Sequence, residues 1–185
     1  YGTPGPLNGE VFNALLSKIR GRSRLPGRSR VIVFSPHPDD DVISMGGMLN
    51  KLHQNGNAII VAYQTSGSIA VFDHEVRRYL DFLRRVDRDF TLDGSAARDL
   101  ADEVENWFEA RTLGEIDPPK VQQIKKSIRE AEAVSGIETF GMRREQARFL
   151  NLPFYQTGKV KKDPIGPEDV RITLELLERI RPELV

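Results

Sequence analysis

A chain of 185 residues suits one α/β domain, or most of one, with enough length to bury a sizeable core. Its 27 basic and 27 acidic residues cancel, so nothing points to a nucleic-acid partner, and the absence of cysteine excludes disulfide scaffolds and thiolate metal sites. No apolar run approaches the ~20 residues of a membrane span and no signal peptide is visible. No membrane partner is therefore expected, and a cytoplasmic location is.

Residues 1–29 read as a lead-in and linker: a Gly/Pro-rich start, a short helix near 9–19, then an Arg/Gly/Pro stretch. The arginines at 20, 22, 24, 28 and 30 have no aromatic interleaved and read as a solvated linker. Because the first residue is Tyr1, a native start upstream is expected. Residues 30–35 form a short, almost wholly apolar run, the pattern of a strand covered on both faces. Residues 42–54 predict a helix with Ile43, Leu49 and Leu52 facing inward, ended by Asn55-Gly56. Residues 58–63 predict a second buried strand, and strand–helix–strand order implies a right-handed parallel βαβ unit. Helical patterns at 75–89 and 96–112 read as an insertion spanning about 70–118. A further amphipathic helix follows at 120–140, a third strand at 147–152, and a helix from Pro167 to about Arg181. Residues 182–185 look like the start of a fourth strand. The predicted fold class is α/β: a Rossmann-like parallel sheet with flanking helices and a helical insertion, truncated at the C-terminus, within a domain spanning 30–185.

Ligands of open parallel sheets bind outside the carboxyl ends of the strands, and His37, Asp39 and Asp40 leave the first strand at that edge. A neutral imidazole and a carboxylate suit Zn²⁺, and Fe²⁺ or Co²⁺ fits the same donors. Adjacent carboxylates are costly as bare anions, so a cation is a natural reason to cluster them. The ordinary alternative is that Asp39-Asp40-Asp41 merely forms a helix N-cap region. His-Pro in front, a buried strand before it and Gly46-Gly47 behind tip the reading toward metal chemistry. No Gly-x-Gly-x-x-Gly follows the first strand, which argues against dinucleotide binding.

The run Ser35-Pro-His-Pro-Asp-Asp-Asp41 resembles the Ala-His-Pro-Asp-Asp-Glu signature of the PIG-L/LmbE family of zinc-dependent N-acetylglucosaminyl deacetylases. Gly46-Gly47, Thr65-Ser66-Gly67, Arg129-x-x-Glu132 with Phe140-Gly141, and Phe149-Leu-Asn-Leu-Pro153 extend the resemblance along the chain. It is especially similar to the deacetylase-like half of bacterial proteins that carry a glucosamine-6-phosphate deaminase domain in front. The resemblance implies that His37 and Asp40 are metal ligands and Asp39 the general base. It implies that Arg129 binds sugar hydroxyl or phosphate groups, and that Gln156 lies near a substrate-binding position often acidic in relatives. The family's third ligand, a His in a His-x-x-His stretch after the fourth strand, would lie beyond Val185. Asp41 stands where the family has Glu, and Pro36 where Ala is usual. The implied partners are an amino-sugar substrate and a deaminase domain upstream. The rival readings are an amidase for another acylated amine, and a non-catalytic domain that binds sugar or supports a fused deaminase.

Three other features read as structural. His53 sits at the far end of the first buried helix and His74 at the start of the insertion, where it would matter only as part of a lid. Trp107 and Phe108 read as packing residues rather than a sugar platform.

Overall fold

A computed structural model describes residues 4–18, 25–92, 94–112, 114–159 and 161–185. After a helix α1 (Pro4–Lys18), strand β1 (Arg30–Ser35) leads into α2 (Asp40–Gln54) and β2 (Ala58–Tyr63). Helices α3 (Asp73–Phe90), α4 (Ser95–Ala110) and α5 (Pro119–Glu138) precede β3 (Ala147–Phe149), and α6 (Pro167–Ile180) closes the order. The end of the expected lead-in helix, Ile19, lies outside the described residues, as do Arg20, Arg22 and Arg24.

All strand pairings are parallel, β1 with β2 and β2 with β3. On the other flank of β1, Leu184 forms a parallel bridge with Val31, and Ile32 N–H donates to its carbonyl at 3.0 Å. The spatial order is thus β3, β2, β1 and then the segment at Leu184, so the chain reverses its direction of travel across the sheet beside β1. That crevice is where an open α/β sheet receives ligands.

Successive strand residues face opposite sides, and both sides are covered. Val31, Val33, Ile59, Val61 and Tyr63 pack with Leu49 and Leu52 of α2 and with Ala133, Val134 and Ile137 of α5. Ile32 and Ala62 face the other way, onto Leu176 of α6. A second core joins α3, α4 and α5 through Val76, Leu80, Ala101, Val104, Phe108, Val121 and Ile128. Phe108 is buried there as expected, and Trp107 packs at its edge.

Two expectations need correction. Ile43 is 76% exposed rather than inward-facing. Met45 takes non-helical angles (φ −140°, ψ 19°), so the first turn of α2 is rotated relative to the rest and Asp41 points inward instead. The third strand is shorter than 147–152. Its pairing continues through Leu150 N–H to Tyr63 O (2.9 Å), but Asn151 adopts a left-handed φ of 48°, which ends the extended run.

A candidate metal centre at the end of strand β1

β1 ends in a polar residue, Ser35, level in the parallel register with Tyr63 at the end of β2. Tyr63 in turn is level with Phe149 of β3 and stacks on it, centroids 5.0 Å apart. This floor carries the loop 36–39. Asp41 is only 1% exposed, and its Oδ2 accepts the Tyr63 hydroxyl at 3.0 Å. Asp41 N–H donates to Ser35 Oγ (3.0 Å), and Ser35 donates onward to the carbonyl of His37 (2.6 Å). The buried acid therefore fixes the backbone of His37 through one hydroxyl. Burial pushes the Asp41 carboxyl above its ordinary pKa, against the opposing pull of its hydrogen bonds from Tyr63, Ser35 and the backbone. Burial, together with the Asp41 charge, likewise drives the Tyr63 phenol upward.

Above that floor, His37 Nδ1 lies 3.1 Å from Asp40 Oδ2, and the same oxygen accepts the His37 backbone N–H at 3.0 Å. With Nδ1 protonated, the side-chain contact is a hydrogen bond. With Nδ1 unprotonated, two lone-pair donors face one another and call for a cation. Two ligands at ~2.0–2.1 Å from a tetrahedral ion stand about 3.3 Å apart, so the pair fits two vertices of such a site. Both side chains are partly exposed, at 49% and 36%, so solvent reaches both. Among the described residues no group of three His, Cys, Asp or Glu comes together.

Asp39 occupies the N-cap position of α2 without making a side-chain cap, whereas Asp40 closes the turn through the His37 backbone N–H. Asp39 Oδ2 instead meets Arg129 of α5 at 2.8 Å, and Arg129 also bonds Glu132 Oε2 at 2.7 Å. Burial works against the Arg129 charge, yet Asp39 and Glu132 outweigh it and raise its pKa. The turn after β2 clasps the same loop. Thr65 bonds the carbonyl of Pro36 through both its N–H (3.1 Å) and its hydroxyl (2.7 Å). Gly67, at φ 62°, packs so closely that an added Cβ would stand 2.9 Å from Pro38 Cδ and 3.2 Å from Arg129 Nε.

The structure thus pairs His37 with Asp40, and on the same loop pairs Asp39 with Arg129. Gln156 lies in the turn after β3, its side chain exposed, and its backbone N–H donates to Pro153 O at 3.1 Å. His53 ends α2, with Nδ1 buried and unpartnered. His74 stacks on Phe72 at 5.6 Å, and no contact between described residues carries it to His37. Ser35, Tyr63 and Tyr155 were not expected at the site. A polar residue closing an otherwise apolar strand was the available signal for the first two. Tyr155 reaches the site through a contact 118 positions away in sequence and left no local sign.

An open parallel α/β sheet with an imidazole and carboxylates gathered at its carboxyl edge defines the class of this domain. The chain belongs to the PIG-L family, described as GlcNAc-PI de-N-acetylase, which matches residues 32–185. It is 34% identical, over all of its own length, to a glucosamine-6-phosphate deaminase-like protein of Bacteroides thetaiotaomicron. It is 35% identical over 43% of its length to a diacetylchitobiose deacetylase of Thermococcus kodakarensis. The chain spans 30% and 31% of those two relatives. No solved structure matches it. Among the described residues no helix is long and apolar enough to cross a membrane.

Proposed function

We propose that this domain removes the N-acetyl group from an amino sugar of the N-acetylglucosamine type, free or phosphorylated, using a divalent cation held by His37 and Asp40. The observation that carries the reading is the 3.1 Å approach of His37 Nδ1 to Asp40 Oδ2 at the end of β1, with Asp39 beside them in an ion pair with Arg129. A cation there, Zn²⁺ by donor type, supplies Lewis acidity toward water and the amide carbonyl. Asp39 takes the proton of the attacking water at a carboxylate oxygen and later returns it to the departing amine, so that acetate and free amine leave. Arg129 holds that carboxylate in place and offers its remaining N–H groups to sugar hydroxyls or phosphate. Gln156 offers an amide to the sugar from the turn after β3. The family description and the name of the Thermococcus relative support acetamido-sugar chemistry. The name and greater length of the Bacteroides relative support a deaminase domain as the covalent partner.

Full-length protein loaded with Zn²⁺ should release acetate from N-acetylglucosamine or its phosphate ester. Asp39→Asn should lose about a hundredfold or more in turnover while binding Zn²⁺ like its parent. An undiminished rate in that variant removes Asp39 from the reaction, and no acetate from the parent with either sugar removes deacetylation.

A further inference from the structure

The connection between β3 and α6 carries a side chain built into the site that no role above uses. Tyr155 is 8% exposed, and its ring meets the His37 imidazole edge-on, centroids 5.9 Å apart at 68°. Phe154 packs edge-to-face on it at 6.3 Å. On one face the Lys162 ammonium stands 3.7 Å from the ring centroid. The same ammonium donates to the carbonyls of Tyr155 (3.4 Å) and Lys159 (2.8 Å), which draws the loop closed around the ring. Asp169, itself 4% exposed at the start of α6, anchors the loop from the other side by accepting the Phe154 N–H at 3.0 Å.

All this machinery holds a ring whose hydroxyl bonds to no described residue. The hydroxyl is not among the buried polar atoms without a partner, so it touches solvent. The phenol also lies within the field of the Arg129 guanidinium, the partner of Asp39. A largely buried phenol with an O–H free to donate, packed on a candidate metal ligand, is an oriented donor awaiting a partner from outside the protein. An acetamido group delivered to His37 and Asp40 leaves the sugar hydroxyls that flank it a few ångströms away, on the scale of the separation between the two rings.

We infer that Tyr155 is a specificity-determining residue that contacts substrate, its hydroxyl hydrogen-bonding a pyranose hydroxyl beside the acetamido group, with Lys162 the positioning residue that holds the ring against His37. The inference rests on the deacetylase reading for the class of substrate. It distinguishes a sugar from an acylated amine without hydroxyls, because a site built to bond a hydroxyl discriminates against a ligand lacking one.

The test uses full-length protein, Tyr155→Phe, Lys162→Met and the double variant, assayed for acetate release from N-acetylglucosamine and from N-acetylcyclohexylamine, an acetamide with no hydroxyl. Tyr155→Phe should raise KM for the sugar about five- to tenfold, the size of one lost hydrogen bond, with kcat and Zn²⁺ affinity unchanged and no change toward the plain acetamide. Lys162→Met should raise KM in the same direction, and the double variant should be no worse than Tyr155→Phe, since both act through one contact. An unchanged KM for the sugar, or equal losses on both substrates, overturns the inference. If the parent releases no acetate, the deacetylase reading falls, and calorimetric titration of metal-stripped protein with N-acetylglucosamine decides the contact separately. Weaker binding by Tyr155→Phe than by the parent then supports it, and equal binding, or none by the parent, overturns it.

Discussion

Replacing Tyr63 by Phe deletes a single oxygen from beneath the loop and leaves Asp41 Oδ2 without its 3.0 Å donor. Both residues are essentially inaccessible, at 0% and 1% exposure, so water does not substitute for the lost bond. A hydrogen bond to a buried carboxylate is worth about 2 kcal/mol, which in a domain of this size lowers Tm by about 4–8 °C. The pH dependence carries the more telling signature. Asp41 has a pKa raised on folding, mainly by burial. Between its unfolded and folded pKa values the native state holds more protons than the unfolded one, so stability falls as pH rises through that window and is level above it. The Tyr63 bond opposes the rise, so removing it lifts the folded pKa further and extends the window upward. The variant's deficit should therefore be full near neutral pH. It should shrink toward the ~1 kcal/mol of a neutral hydrogen bond below the ordinary carboxylate range, where Asp41 is protonated in both states. Urea unfolding of metal-stripped parent and variant across this pH range measures it. A deficit that does not vary with pH would refute a charged Asp41 under the site.

Gly67→Ala places a Cβ at 2.9 Å from Pro38 Cδ on a residue with φ of 62°. A stability loss of about 2 kcal/mol from backbone strain and crowding is expected, together with slower acetate release, since both Pro38 and Arg129 must shift. Thermal melts that match the parent would show that the clasp is loose. Lys125 is 5% exposed and bonds Asp73 at 3.1 Å and Asp117 at 2.7 Å, while Arg111 pairs with the same two aspartates. Lys125→Met should cost about 1.5–3 kcal/mol by removing charge-assisted hydrogen bonds from two half-buried carboxylates that Arg111 still pairs with, and adding Asp73→Asn should restore part of it, as read from denaturant midpoints.

The strands and the parallel pairing of the first two were legible because fully buried strands are written as short apolar runs, and the acid-rich loop because it stands directly after one of them. The inward turn of Asp41 was not. Helical counting put Ile43 inside, and only the break at Met45 exposes Ile43 and buries the acid. The Asp41 position also departs from the family's Glu in a way that gains meaning from the fold, since the shorter arm ends on the Tyr63 hydroxyl. His37, Asp39 and Asp40 are local in sequence, whereas Arg129 came from its motif and Tyr155 from neither. A ring contact across 118 positions depends on how the loop after β3 folds back, which no local pattern encodes.

The interlock of Pro38 with Gly67 has a consequence for how this domain tolerates change. Two loops on neighbouring strands share one volume, so neither is free to be redesigned alone. A side chain introduced at 67 demands a slimmer residue at 38, and a substituted 38 opens a void against 67. Grafting a new turn after β2 in order to alter substrate choice would thus also displace His37 and its neighbours, unless the opposite loop is rebuilt in the same step.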